Sequence, residues 1–152
     1  MAKRLWTGLL IILALSGVAF LNSQAANSSS SNEGQSVSTS EDIEHLTKQD
    51  RVISYLREHQ RLPSFYITKK QARAEGWEPS AGNLCSVLPG KAIGGDRFSN
   101  REKRLPQKAK RVWREADINY RCGRRQADRL IYSNDGLIYI TRDHYRNFTK
   151  ME

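Results

Sequence analysis

The spacing of apolar residues changes once along this chain, at about residue 90. Before that point apolar residues recur at the helical period, and after it they alternate as in strands. The first helical set has four members: Leu46, Val52, Ile53 and Leu56. We predict a helix here, with Thr47 as a candidate N-cap and the Leu62-Pro63 step as its end.

Two shorter helices are predicted before the change of period. Thr68 to Glu75 forms the first, with the Thr68 hydroxyl as its cap and Gly76 as the C-terminal glycine. A weaker pattern from Asn83 to Leu88 predicts the second, which Pro89-Gly90 ends.

Strand-like segments dominate the rest of the chain. We predict strands at Lys91 to Phe98, Arg111 to Tyr120, Ala127 to Tyr132, Leu137 to Thr141 and a short run near Phe148. The turn sequence Ser-Asn-Asp-Gly at residues 133–136 predicts an antiparallel hairpin. Helices first and strands later favour an α+β domain, with N-terminal helices packed on one face of a C-terminal antiparallel β-sheet.

Alternation along the second predicted strand assigns its side chains to two faces of the sheet. Val112, Ala116 and Ile118 suit a core face on which Arg114 is an exception. The opposite face collects Trp113, Glu115 and Asp117, together with Arg129 and Ile131 of the next strand. Taken alone, this pattern favours a solvent-exposed face with cross-strand ion pairs.

The N-terminus has the three parts of a secretory signal. Lys3 and Arg4 precede an apolar run over residues 9–21, and small residues follow, with cleavage expected after Ala25. We therefore predict that residues 1–25 are a signal peptide and that the protein is secreted. An uncleaved anchor is the alternative, although the apolar run is shorter than the roughly 20 residues of a membrane-spanning helix. After removal of the signal we expect no stable membrane span.

The remaining chain divides into a tether and one domain. Residues 26–42 are rich in serine and contain too few apolar side chains to offset the entropy of ordering, which predicts a disordered linker or pro-segment. Residues 43–152 are long enough for a single core.

Charge is concentrated in that domain. The whole chain has a net charge of +9, and residues 43–152 hold 23 Lys and Arg against 13 Asp and Glu. Such a positive surface attracts polyanions, so nucleic acid or an anionic membrane are the favoured partner classes. The composition excludes a Cys-rich scaffold and a collagen-like repeat.

From residue 62 onward the chain carries several long motifs: LPSFYITK, AEGW, GNL, PGKAIGGD, FSNRE, WREADINY, ADRLIYSNDGLIY and DHYRNFTK. In their order and spacing they resemble the barnase-like family of microbial guanyl-specific ribonucleases. The resemblance implies the microbial ribonuclease fold and a metal-free, cofactor-free endoribonuclease. Such an enzyme cuts RNA after guanine through a 2′,3′-cyclic phosphate, which water then opens.

The resemblance also implies catalytic roles for five residues. Glu115 matches the general base, His144 the general acid, Lys69 a cation that stabilises the transition state, and Arg125 and Arg129 the phosphate-binding arginines. These types suit the chemistry, because the reaction needs a base for the 2′-hydroxyl, an acid for the leaving oxygen and fixed cations for the growing charge.

Guanine recognition is implied for the loop at residues 98–102. It consists of Phe98, Ser99, Asn100, Arg101 and Glu102. Backbone N–H groups of the loop would bind the guanine carbonyl oxygen, and the Glu102 carboxylate would accept from the ring N–H and the amino group. Adenine would leave these groups unpaired.

Two more residues complete the expected substrate site. Tyr145 is expected to line the guanine pocket, and Asp96 to orient Lys69.

The chain also departs from the family pattern. Gly136 stands where a tryptophan is expected, which would remove an aromatic neighbour of His144. Cys85 and Cys122 have no family counterpart. In an exported protein two cysteines favour a disulfide, and free buried thiols are the alternative.

The partners follow from the implied activity. We expect RNA as substrate, a monomeric enzyme, and a barstar-like acidic protein inhibitor that protects the producing cell. A non-catalytic basic RNA-binding or antimicrobial module on the same fold is the competing hypothesis; it predicts salt-sensitive binding without cleavage.

Overall fold

The computed structural model describes residues 42–152; the predicted signal peptide and nearly all of the predicted linker lie outside the described residues. A short helical segment at residues 42–46 precedes helix α1 (Gln49–His59). Asp50 in the first turn of α1 and Arg57 and His59 in its last turn complement the helix dipole. The helix ends at Gln60, which adopts a left-handed conformation.

The predicted cap of α1 is wrong. The N-cap residue is Lys48, and it makes no side-chain cap hydrogen bond. Thr47 is fully buried instead; its hydroxyl donates to Ile43 O (2.7 Å) and accepts from the N–H of Tyr120 (2.9 Å). The Thr47 hydroxyl therefore bonds to Tyr120, at the end of the second predicted strand, instead of capping α1. This contact links the helical segment to the sheet region.

The two shorter helices lie where they were predicted. Helix α2 spans Lys69–Ala74 and begins with a capping box, in which Thr68 accepts from the Gln71 N–H and Gln71 accepts from the Thr68 N–H. Gly76 follows it with a φ of +93°, a conformation that favours glycine. Helix α3 is the single turn Leu84–Val87.

Six strands form one sheet within residues 42–152, in the order β1-β2-β3-β4-β5-β6. Their bounds are β1 Tyr66–Ile67, β2 Ala92–Phe98, β3 Trp113–Asp117, β4 Arg129–Ser133, β5 Ile138–Thr141 and β6 Thr149–Lys150. The pairs from β2 to β6 are antiparallel, whereas β1 pairs with β2 in parallel. The α+β prediction is confirmed, and β1 is the strand that the sequence did not predict.

One face of the sheet packs against the helices. Val52, Ile53 and Leu56 of α1 pack on residues of β4 and β5, among them Leu130 and Ile140. A second cluster joins Ile43, Trp77 and other residues near α2 and α3 to Ile93 of β2. These contacts are the helix-on-sheet core of the predicted fold.

The opposite face of the sheet is also buried, so the predicted solvent-exposed face is wrong. Trp113 and Ile131 form a third cluster with Leu105, and aromatic side chains including Phe98 and Tyr145 pack against it. Leu105 of this cover comes from the loop after β2, and Tyr145 and Phe148 come from the loop after β5. The expected ion pairs are present, but in a buried environment.

Cys85 of α3 and Cys122 of the β3–β4 loop form a disulfide with a Cα–Cα distance of 5.7 Å, and no free cysteine is found among the described residues. The structure thus contains the disulfide rather than the free thiols. Of the helices in residues 42–152, none is both long and apolar enough to span a bilayer.

Candidate active site

Glu115 lies at the centre of β3, on the face that the loops cover. Its side chain is only 6% exposed. The Lys69 ammonium pairs with Oε1, and the Tyr145 hydroxyl donates to Oε2 at 2.5 Å. Both carboxylate oxygens are therefore held by a donor, which fixes the orientation of the group.

The surroundings of Glu115 favour its ionised form. Burial alone would raise the pKa of this carboxyl group, because it disfavours the charge. Hydrogen bonds from Lys69 and Tyr145, with the charges of Lys69 and Arg125, outweigh burial and hold the pKa of Glu115 below its ordinary value. The arrangement keeps a carboxylate poised to accept a proton.

Lys69 reaches Glu115 from the first position of α2. Its backbone N–H donates to Asp96 Oδ2 at 2.9 Å, and Asp96 lies opposite Glu115 in the β2–β3 ladder. The ladder shifts register between Gly94 and Asp96. The residue between them, Gly95, has a φ of +95°, as a bulge residue often does. The bulge brings Asp96 to the register position beside Glu115, and Asp96 in turn anchors the start of α2.

Two arginines share a buried carboxylate beside Glu115. Arg125 donates to both oxygens of Asp117, at 2.7 Å from Nε and 2.5 Å from the terminal nitrogen. Arg129 lies opposite Asp117 in the β3–β4 ladder, with its Nε 3.0 Å from Oδ1. That Nε is close enough for an ion pair, but its geometry is not that of a hydrogen bond.

Asp117 is the organising residue that sequence reasoning missed. It is 1% exposed and lies two residues after Glu115 on the same face of β3. Its carboxylate raises the pKa of Arg125 against the opposing effect of burial. The sequence does contain a signal for this role. Asp117 is an acidic residue two positions after Glu115 in an alternating strand, and Arg125 and Arg129 follow it in the chain.

His144 belongs to an unusual turn after β5. It and Tyr145 have consecutive positive φ values of 54° and 68°, which side-chain-bearing residues rarely adopt. The Asp143 carboxylate stabilises this turn by accepting from the backbone N–H groups of Arg146 and Asn147, each at 3.0 Å. The turn therefore holds His144 next in sequence to Tyr145, whose hydroxyl contacts Glu115. His144 itself is exposed to solvent.

The same donors lower the pKa of Asp143. The Asn147 backbone N–H and side chain have the largest effects, burial opposes them, and the pKa falls to about 2. Asp143 is thus a second residue of the site that the sequence analysis did not single out.

Gly136 does not lie beside His144, so the expectation of a missing aromatic neighbour is wrong. It lies in the turn before β5 with a φ of +91°, whereas His144 follows the other end of that strand. A tryptophan at position 136 would therefore not be a neighbour of His144.

The loop at residues 98–102 forms a cavity of about 220 Å³ beside Tyr145. The Phe98 ring stacks on Tyr145 at 5.4 Å and meets Phe148 edge to face at 6.0 Å. Ser99, Arg101 and Glu102 also line the cavity. Phe98, Tyr145 and Phe148 therefore form an aromatic wall of the cavity. Tyr145 in this wall is also the residue that contacts Glu115.

Asn100 shapes this loop through its side chain. It is buried, with a φ of 45°. Its amide donates to Leu105 O at 2.9 Å and accepts from the Leu105 N–H at 3.1 Å. Because both polar groups are used internally, the Asn100 side chain holds the loop rather than facing a ligand.

Glu102 presents a largely exposed carboxylate at the same cavity. Arg104 Nε donates to it at 2.6 Å, and Arg104 also donates to the carbonyl oxygen of Arg146. The side chains of Glu102 and Arg104 are 71% and 47% exposed, so this ion pair is open to exchange with a ligand.

The structure thus brings most predicted site residues together on one face of the sheet. Contacts connect Glu115 to Lys69 and Tyr145, Asp96 to Lys69, and Arg125 and Arg129 to Asp117, while residues 98–102 enclose the adjoining cavity. Within residues 42–152 no group of three His, Cys, Asp or Glu is placed to hold a metal ion.

Comparison with known proteins gives an independent result. A family model described as ribonuclease matches residues 48–152. Curated ribonucleases of Bacillus intermedius and Bacillus pumilus are each 62% identical over 102 residues, and one of Heyndrickxia coagulans is 61% identical over 102 residues. The match covers 67% of this chain, 63% of each Bacillus protein and 94% of the Heyndrickxia protein.

Proposed function

Because the chain belongs to the barnase-like ribonuclease family, we propose that it is an endoribonuclease that cleaves single-stranded RNA after guanosine without a metal. The buried carboxylate of Glu115, held by Lys69 and Tyr145 beside two arginines, is the observation that supports this proposal most strongly. A carboxylate among fixed cations can accept a proton while those cations stabilise negative charge nearby.

In the first step Glu115 takes the proton of the ribose 2′-hydroxyl. The 2′-oxygen attacks the adjacent phosphorus, and the bond from phosphorus to the 5′-oxygen breaks. Protonated His144 gives its proton to the departing 5′-oxygen, so the products are a 2′,3′-cyclic phosphate and a free 5′-hydroxyl. An imidazole suits this role, because it exchanges protons near neutral pH.

The second step reverses the roles of the two groups. Neutral His144 takes a proton from water, the hydroxyl attacks phosphorus, and Glu115 returns its proton to the 2′-oxygen as the ring opens to a 3′-phosphate. Lys69, Arg125 and Arg129 would bind the phosphoryl oxygens, on which charge accumulates in both steps. Arginine suits this contact, since its planar fork matches two phosphate oxygens.

Guanine preference would come from the cavity at residues 98–102. The base would stack against the aromatic wall, and its N–H and amino group would donate to Glu102 in place of Arg104. Adenine offers a different order of donors and acceptors, so it would leave Glu102 without its hydrogen bonds.

A dinucleotide assay tests the activity and the base preference together. GpA, ApA, CpA and UpA are incubated with the protein in excess chelator, and the products are separated by chromatography. We expect guanosine 2′,3′-cyclic phosphate from GpA and much slower cleavage of the other three. Cleavage only after a divalent metal is added, or no base preference, would contradict the proposal. RNA binding without any cleavage would favour the non-catalytic module.

We further propose that the protein is secreted and that a barstar-like acidic inhibitor protects the producing cell. Residues 97–125 hold 11 Lys and Arg against three acidic residues, so carboxylates of such an inhibitor would meet the cations that otherwise bind phosphate. N-terminal sequencing of the protein from culture medium tests secretion, and a pull-down from the producing cells tests the inhibitor.

A further inference from the structure

A groove of about 670 Å³ lies away from the candidate active site. It lies between the C-terminal end of α1 and the turn that joins β4 to β5. Gly136 lines it, and a Cβ added there would have no neighbour within 4 Å among the described atoms. The groove is therefore open where α1 no longer covers the sheet.

The groove combines an apolar lining with cations. Leu56, Leu62 and Tyr132 are among the residues that supply its apolar surface. Three arginines also line it: Arg57, Arg61 and Arg114. Arg114 is the residue that interrupts the apolar alternation of β3. It is exposed, whereas Ala116 and Ile118 on the same face of the predicted strand are buried.

The acidic residue of the groove does not cancel this positive charge. Asp135 lines the groove, but Arg111 donates to both of its oxygens, and Lys108 lies 3.8 Å from one of them. These two cations are additional to the three arginines of the groove. An anionic ligand is therefore the complementary one.

A basic surface connects the groove to the candidate base cavity. A second open cavity of about 470 Å³ shares Ser99 and Asn100 with the base cavity and is also lined by Lys108 and Arg111. Arg111 in turn contacts Asp135 of the groove. Residues 97–114, which run along this path, contain eight Lys and Arg and a single acidic residue, Glu102.

We propose that the groove is a secondary RNA-binding site, which takes nucleotides of a long single strand remote from the cleaved bond. This inference rests on the proposed function, since RNA is its ligand. Single-strand binding sites combine cations for phosphates with apolar and aromatic surface for bases, and the groove offers both. The basic path gives one RNA strand a continuous route from the base cavity to the groove.

The experiment measures binding without cleavage. A fluorescent 2′-O-methyl oligouridine of about 20 nucleotides serves as probe, because it lacks the 2′-hydroxyl nucleophile. Its affinity is measured against salt concentration for the wild type and for Arg57→Ala/Arg61→Ala. The matched control is Lys48→Ala/Arg51→Ala, which removes the same charge near the other end of α1. Thermal melting checks that each variant is folded, and cleavage of GpA is measured in parallel.

We expect the groove variant to bind the probe several-fold more weakly than the control. Its plot of log affinity against log salt should be shallower by about 0.7 for each lost phosphate contact. Its cleavage of GpA should equal that of the wild type. Equal losses in both variants would mean general charge attraction, and no loss in the groove variant would mean that RNA does not enter the groove; either result overturns the proposal.

Two further results are distinguishable from these. If an acidic leucine-containing peptide binds the wild type but not the groove variant, while probe binding is unchanged, the groove docks a protein segment and the RNA proposal is wrong. If GpA is not cleaved by any of the proteins, the proposed function fails, whereas probe binding still decides whether RNA occupies the groove.

Discussion

Lys69 at the start of α2 pairs with Glu115 at the centre of β3, 46 residues further along the chain. The pair joins the helical part of the domain to the sheet at the proposed site of proton transfer. It also makes the protonation of Glu115 dependent on the position of Lys69.

Replacing either proposed proton-transfer group should abolish most turnover. We expect Glu115→Gln and His144→Ala each to lower kcat for GpA by about 10²- to 10⁴-fold, the range typical of general acid–base catalysis. Their melting temperatures should show that both variants are folded. Glu115→Gln activity equal to that of the wild type would show that another group is the base.

The pH profile should report the Lys69–Glu115 pair. Because the pKa of Glu115 is held below its ordinary value, activity of the wild type should persist to acidic pH and fall only as Glu115 becomes protonated. In Lys69→Ala burial is less opposed, so the acidic limb of kcat/KM should move to higher pH, with a loss of about 10²- to 10³-fold in kcat. Lys70→Ala is the control, and an unmoved acidic limb in Lys69→Ala would refute the coupling.

Asp117 should be essential for stability because the buried Arg129 and the partly buried Arg125 both depend on it. Asp117→Asn leaves both cations without their countercharge, and we expect a loss of about 3–5 kcal/mol in the free energy of unfolding. Glu44→Gln breaks the exposed pair with Arg121 and should cost no more than about 1 kcal/mol. Urea denaturation measures both, and equal effects would mean that Asp117 has no special role.

Removal of the disulfide should lower stability without removing a proposed catalytic group. The bridge closes a loop with a sequence separation of 37, which on the chain-entropy model contributes about 3–4 kcal/mol. We expect that loss in Cys85→Ala/Cys122→Ala and in the reduced wild type. A reductant should not destabilise the double variant further. Two alkylatable thiols in the native oxidised protein would contradict the presence of the bridge.

Asp143 should make the free energy of unfolding of the domain depend on pH in the acidic range. Its pKa of about 2 in the folded state lies below the ordinary value of 3.8, so its contribution is complete above about pH 4 and is lost as pH falls through about 2. Denaturation of the wild type and of Asp143→Asn at several pH values measures this. The difference between them should shrink toward pH 2, and a constant difference would argue against a charged Asp143.

Local signals in the sequence predicted the helices and turns well. Thr68 and Gly76 bound α2 as expected, because a capping hydroxyl and a left-handed glycine act within a few residues. Gly136 likewise takes the positive φ of the predicted hairpin turn. Thr47 failed as a cap because its hydroxyl found a partner at Tyr120, which no local pattern reveals.

The buried site face could not be predicted from alternation. Glu115 and Asp117 look solvent-exposed in the pattern, because alternation indicates which residues share a face but not what covers it. The cover comes from loop residues such as Leu105 and Tyr145, which have no periodic signal. The motif resemblance supplied the predicted site residues. It did not single out Asp117, which pairs with both arginines, or Asp143, which stabilises the turn at His144.

The order of strands in the sheet has a consequence for folding kinetics. From β2 to β6 each strand pairs with the strand that precedes it in the chain, so the sheet can grow one hairpin at a time, with loops of 4 to 14 residues to close. Contacts between residues near in sequence are associated with fast folding. The parallel pairing of β1 with β2 spans a longer segment, and the Lys69–Glu115 contact, which forms across it, is therefore expected among the later contacts to form.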